Sequence, residues 1–512
     1  MQATRLTAFV AVLACWLMCV AATPKGAARP NSAQRVDLAK RIDVNEVNMA
    51  ISNVGSFAYD FVVGDAGLEY PKGSSKTAVF ASGLWLSANI GSSNRLALSG
   101  YAEEYMAGSV IEGVDDDPSN PVYQVYELQR VYANPAVRDS ALAAWNWGAV
   151  PHGAPPVHVK PDGTLYITGD QMLWTVYNDL DAGNHNNPAG RTPPIGVEIQ
   201  QTTFAFDKPG AFQNTVFMRY KIINRTLFPL TDVRIGMWSD PDLGGAFDDL
   251  TGCDPAANFG YCYNASTPDA VYGSTPPAIG YDLLQGPTNG SPTRLGMASF
   301  SHFVNGADPD TMTETRNVLH GLTIDSTAMI NTLTNQPTKF QFTGDPITGT
   351  GWRETVPQDQ RMLLTWGPIS MAPGDSQEVV VAVILAQGVD ALGSLAQLRA
   401  YDDEIQAAWD GGGVLAVGDA PPVALAMHRA FPNPSRGDVT LSFTLGADGP
   451  ATLEVLDVAG RSVLKRDLTG MSAGRHELRL GQDTGARLAA GMYFARVSQR
   501  EHSVTNRLVV LQ

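Results

Sequence analysis

Five carboxylates crowd one short stretch: Asp240, Asp242, Asp248, Asp249 and Asp254, with Gly244 and Gly245 between them. Acids packed this closely repel one another unless a cation or solvent intervenes. Calcium takes about 6–8 oxygen ligands, and glycines let a loop fold around it. The segment is therefore expected to bind Ca2+, set against an ordinary solvated loop whose aspartates form Asx turns. It is not an EF-hand, because Gly244 stands where the third acid of that loop belongs. A second acidic candidate is Asn178-Asp179-Leu180-Asp181 with His185 close behind, which reads equally as a turn after a strand ending at Tyr177.

Other chemistry finds little purchase. The body's five histidines, His152, His158, His185, His302 and His320, form neither an H-E-x-x-H nor an H-x-H pattern. There is no G-x-S-x-G elbow, no P-loop and no G-x-G-x-x-G after a strand. A glycosidase needs only two suitably separated carboxylates, and the sequence neither selects nor rejects a pair. Flat aromatics stack on sugars, but Trp85, Trp174 and Trp366 lie in apolar strand patterns and read as core. Trp145, Trp147 and Trp352 are freer.

The N-terminus bears on the cysteines. Residues 1–22 carry one charge, Arg5, then an apolar run from Ala8 to Val20 and small residues at Val20-Ala21-Ala22, the pattern of a secretory signal. That run is too short for a membrane helix, and no later segment qualifies, so the mature chain is expected to have no transmembrane segment. Cys15 and Cys19 leave with the signal, and Cys253 and Cys262 remain. In an oxidising compartment a lone nearby pair is expected to form a disulfide, set against two buried free thiols.

Around these residues the chain reads as mainly β. Gly 50 and Pro 33 in 512 residues imply many turns. Thr215–Asn224 alternates with Val216, Met218, Tyr220 and Ile222 on one face. Val233, Ile235 and Met237 alternate in the next run, and the two together read as a hairpin. Further strands are expected at 77–88, 122–131, 171–177, 196–206 and 377–387, while 281–351 is turn-rich and unassigned. Two helices are expected, at 136–147 and at 391–409, the second capped by Asp390 and stopped by Gly411-Gly412-Gly413. The expected organisation is a signal at 1–22, a linker at 23–40, a large β-sandwich-like body with a few helices at 41–410, a linker at 411–427 and a small Ig-like β-sandwich at 428–512. The net charge of −16 lies in the body, since the last 85 residues carry a slight positive excess. An acidic body repels phosphate backbones, so nucleic acid is not an expected partner.

The C-terminal module carries four motifs in order: Phe431-Pro432-Asn433-Pro434, Leu456-Asp457-Val458-Ala459-Gly460-Arg461, Ala489-Ala490-Gly491-Met492-Tyr493-Phe494 and Asn506-Arg507-Leu508-Val509-Val510-Leu511. It resembles the C-terminal sorting domain of proteins exported by the type IX secretion system, and is similar also to the Ig-like domain of flagellar hook-capping proteins. The body resembles those of secreted bacterial proteins bearing this tail, through Tyr70-Pro71-Lys72-Gly73, Trp238–Gly245 with Asp248-Asp249, and Pro368–Asp375. The resemblance implies a non-catalytic tail that engages outer-membrane secretion machinery, and a destination in the medium or on the surface of a Gram-negative bacterium. It implies no activity for the body and names no ligand. The expected function is a non-enzymatic binding or structural protein, with a secreted glycan-acting hydrolase as the alternative.

Overall fold

The computed structural model describes residues 38–511 apart from 102, 112, 291–292, 413, 415–424, 428–429, 431–432, 434, 436–438, 446–448, 472–473, 481–487 and 500–501. The expected signal, and most of both expected linkers, lie outside the described residues. The chain divides into two compact units, one of residues up to 128, 136–156 and 171–403, the other of 129–135, 157–170 and 404 onward.

In the first unit the elements that matter here are β1 (Asn48–Ser52), β2 (Ala81–Ile90), α1 (Pro135–Ala144), β3 (Gln171–Asn178), β4 (Val197–Ala205), β5 (Thr215–Asn224), β6 (Leu230–Asp240), β7 (Asp249–Asp254), β8 (Phe259–Asn264), β9 (Pro277–Gln285), β10 (Met297–Val304), α2 (Met312–Leu319), β11 (Gln360–Met371), β12 (Ser376–Gln387) and α3 (Ala391–Asp410). One ten-stranded sheet runs β10-β11-β6-β2 and on through Ser56–Phe57 to β1. A nine-stranded sheet runs β3-β4-β5-β12-β9-β8-β7. Leu84, Met237 and Leu364 from the first share a core with Met218, Val381 and Tyr281 from the second. The body is thus a sandwich, each sheet burying the face that its alternation marks.

Val216, Met218, Tyr220 and Ile222 do face that core, as do Val233, Ile235 and Met237. The expected hairpin does not form. β5 pairs with β4 and β12, whereas β6 pairs with β2 and β11, so the chain crosses between layers at 225–229. Alternation tells which face is buried, and leaves the neighbouring strand open. The Asn224 amide fixes the crossing by donating to the carbonyls of Phe228, Met371 and Ala372.

The segment 281–351, unassigned from sequence, holds β10, α2 and a small hairpin of Met329–Asn331 with Gln336–Thr338. A capping box starts α2, with the Thr311 side chain accepting from the Glu314 amide and Glu314 returning to the Thr311 amide. α1 gives way at Trp145–Ala149 to one wider π turn. α3 begins where Asp390 accepts from the Gly393 amide at 2.7 Å. Gly412 follows its end with φ +72°, the left-handed conformation that glycine adopts without strain.

The second unit contains the C-terminal module: β13 (Val439–Leu445), β14 (Ala451–Asp457), β15 (Ser462–Asp467), β16 (Gly474–Leu480), β17 (Gly491–Gln499) and β18 (His502–Val510). These six strands lie within the small β-sandwich expected at 428–512. β13 lies between β16 and the short strand Ala426–Met427, and the other sheet runs β15-β14-β17-β18. Leu441, Phe443, Leu453, Val455, Val497 and Leu508 fill the space between the two sheets.

Candidate functional site

The five loop carboxylates do not meet at one point. β6 ends at Asp240 in one sheet and β7 starts at Asp249 in the other, so the loop is stretched across the sandwich edge. Among the described residues, Asp240, Asp242 and Asp359 bring carboxylate oxygens within 4.8 Å of one another. Asp359 comes from the segment entering β11 and has no signal in the loop sequence. Arg361, two residues on, is in ion-pair contact with both Asp240 and Asp359, and its Nε lies 3.9 Å from Asp308. One guanidinium therefore serves three carboxylates. Burial, above all, pushes Asp240 well above the usual carboxylate range; Asp242, Asp359 and Asp308 add to this, and Arg361 opposes it. Asp242 is pushed up to about 7, by burial first and then by Asp359. Its Oδ1 is buried without a hydrogen-bond partner.

The other three predicted ligands stand apart from that group. Asp249 is buried beside it, its Oδ2 accepting from the Leu243 amide at 3.1 Å while Oδ1 has no hydrogen-bond partner. Asp248 is half-buried and feels the nearby Asp269, which holds the loop by accepting from the Gly245 amide. Asp254 lies at the far end of β7, about 17 Å along an extended strand, and is exposed. It accepts from the Ala256 and Ala257 amides and so makes the Asx turn weighed as the plainer reading.

Cys253 and Cys262 are free buried thiols, and the expected disulfide is corrected. In the β7–β8 ladder Cys253 stands opposite Gly260, and Cys262 opposite Thr251. The two are diagonal neighbours on one face, a relation that leaves Cβ atoms farther apart than the roughly 3.5–4.5 Å of a disulfide. Both thiols pack in the core, where burial raises their pKa well above its ordinary value.

The second acidic candidate is a structural clasp. Asp179 is fully buried and accepts from the amides of Ile195, Gly196 and Val197 at 2.6–2.9 Å. His185 Nε2 is 2.9 Å from the Asp179 carbonyl oxygen, and Nδ1 is 3.8 Å from Glu104. Glu104 is raised to about 8, chiefly by burial. Asp181 is only half-buried and caps Gly183.

A cleft of about 580 Å³, not foreseen from sequence, opens beside β10. His302 on β10 and Glu354 in the approach to β11 form its floor, 3.0 Å apart. Glu354 Oε2 also accepts from the backbone and hydroxyl of Thr251 at 2.6 and 2.9 Å. Its Oε1 accepts from the Gln360 amide at 3.2 Å. The rings of His302, Phe342 and Trp352 succeed one another at 5.1 and 5.3 Å between centroids, and Arg353 completes this wall. Of the tryptophans expected to be free, Trp147 is exposed and Trp352 half-buried. Trp145 is core instead, its Nε1 donating to the Pro155 carbonyl at 2.9 Å.

In the C-terminal module the motifs meet in space. The Asn433 side chain donates to the Arg507 carbonyl and accepts from the Val509 amide, both at 2.9 Å, joining the first motif to the last. Asp457 Oδ1 accepts from the Ala459 and Arg461 amides across the turn at Gly460, and Oδ2 pairs with the Arg461 guanidinium at 2.7 Å. The Tyr493 hydroxyl donates to the Ala489 carbonyl at 2.9 Å within the third motif. Asn433, Asp457 and Tyr493 therefore hold turns and strand ends.

No curated protein matches the chain. A polysaccharide lyase structure is similar at 10% identity over 69% of this chain and 36% of that one, with a TM-score of 0.21. A bacterial glucoamylase complexed with acarbose is similar at 10% identity, 74% and 36% coverage and a TM-score of 0.31. The dimeric latent PorU of Porphyromonas gingivalis is similar at 10% identity, 94% and 33% coverage and a TM-score of 0.15. The chain spans about a third of the length of these structures, and likeness of this degree carries no argument about the body. Residues 429–511 match the family described as a secretion system C-terminal sorting domain. The chain thus ends in a type IX secretion sorting domain, and that domain marks it as a secreted or cell-surface protein.

Proposed function

We propose that this chain is a non-enzymatic binding or structural protein placed outside the cell, whose body meets its ligand at the cleft beside Trp352. The sorting domain at 429–511 carries the reading, because it supplies the destination and the partner, the export machinery. The cleft supports binding in the body, with an aromatic wall and a few convergent polar groups. Its floor favours holding over reaction. A general base or nucleophile must turn a free lone pair toward substrate, and both Glu354 oxygens already accept hydrogen bonds within the protein. Calcium belongs to the same proposal, at Asp240, Asp242 and Asp359. There, more negative charge is buried than Arg361 balances, and a divalent cation relieves the excess.

The test incubates the purified chain with a panel of insoluble polysaccharides, measuring retention on the polymer and release of reducing ends. The reading predicts retention without release, lost in Trp352→Ala. Release of reducing ends replaces it with the hydrolase alternative.

A further inference from the structure

Among the described residues, one cation in the cleft has no hydrogen-bond or ion-pair partner. Arg353 is half-buried on the cleft wall, yet its Nε is buried without a hydrogen-bond partner. No carboxylate lies within ion-pair distance of its guanidinium among the described residues. The other arginines nearby are committed, Arg361 to Asp240 and Asp359, and Arg399 to Asp345 at 2.8 Å. Leaving a partly desolvated guanidinium unpaired costs stability, which a ligand bringing its own anion recovers. The planar fork of Arg suits a carboxylate in particular.

Glu354 does not fill that role, although it is the next residue. Thr251, His302 and Gln360 hold its carboxylate on the floor of the cleft. Beside Arg353 stands Trp352, tilted 59° against Phe342, with hydroxyls and an amide on Thr332, Thr355 and Gln358 at the rim. A ring face for stacking, neutral polar groups for hydroxyls and one free guanidinium make a particular demand. They ask for a saturated polyhydroxylated ring bearing a single carboxylate. The acidic body argues against a densely charged polymer, which its field repels before contact.

Resting on the reading of the body as a binding protein, we propose that this cleft binds a carboxylated saccharide, a uronate unit of an extracellular glycan. The sugar face lies on Trp352 and the carboxylate on Arg353.

Calorimetric titration of the full chain tests this, using neutral trisaccharides, the same trisaccharides carrying one galacto- or gluco-configured uronate, and a short Asp-rich peptide. Either uronate should bind about tenfold or more tightly than its neutral counterpart, as a charge-assisted fork contact implies. Arg353→Gln should erase that preference while keeping the weaker neutral binding. Arg353→Lys should keep part of it, and Trp352→Ala should weaken charged and neutral sugars alike. Thermal melts of each variant establish that it is folded. Equal affinity for charged and neutral sugars, or a preference that survives Arg353→Gln, overturns the assignment. The broader binding reading then stands if Trp352→Ala still releases polysaccharide in the retention assay. Tight binding of the peptide in place of the sugars overturns the ligand class. Binding of none of these probes overturns the inference, and the retention assay alone then decides the broader reading.

Discussion

Asp242 shows how a residue can be singled out from sequence for its chemistry while its neighbours stay hidden. The spacing of Asp240 and Asp242 flagged them, but their partner Asp359 is more than a hundred residues away and is delivered by sheet pairing. Asp254 was drawn into the same group by proximity in sequence, and an extended strand carries it off. Cys253 and Cys262 depart from expectation for a related reason: eight intervening residues suit a small loop, and a hairpin register holds the thiols diagonal. Trp352 lies outside any strand pattern, whereas nothing local distinguishes Arg353, whose significance is the lack of a partner among the described residues. The calcium proposal makes a residue-level prediction. Millimolar calcium should raise the melting temperature over a chelator control, by about 2.7 kcal/mol of stability at 100 times the dissociation constant. Asp242→Asn should abolish the rise, and without calcium it should be at least as stable as wild type, because burial and Asp359 penalise the charged form. An unchanged wild-type melt contradicts the site. Equal shifts in both proteins place calcium elsewhere.

At the scale of elements, period and capping chemistry carried most of the information. α3 was expected from its apolar spacing and Asp390, and Leu395, Leu398 and Ile405 are indeed buried. α2 is not among the expected helices although Thr311 and Glu314 spell a capping box, because glycines and prolines around it suggest only turns. The partner of each body strand was illegible, since two sheets with similar alternation accept the same pattern. α3 carries a second consequence. Asp402 on this helix is buried in hydrogen-bond contact with Asp282 on β9. Burial raises its pKa from 3.8 to about 7. Between those values the folded chain keeps a proton that the unfolded chain has released, so stability falls as pH rises through the window and levels off above it. The melting temperature should drop from pH 4.5 to 7.5. Asp402→Asn, which keeps a donor for Asp282, should flatten that slope and gain on the order of 2 kcal/mol at pH 8. A variant whose slope matches wild type would show that the pair does not share a proton.

At the scale of the whole molecule, the clearest message in the sequence was its destination. The C-terminal module was legible because its strands are short and alternating, and because its motif residues close turns and strand ends, as Asn433 and Asp457 do. The body was less so, because its cleft is assembled from β10, a hairpin loop and the approach to β11, which only the fold brings together. Deleting residues 428–512 in the native host, followed by fractionation and quantification of the body, tests whether residues 429–511 direct this chain out of the cell. The expected result is a folded body retained inside the envelope and missing from surface and medium. Truncated protein reaching the surface or medium in wild-type amounts would contradict it.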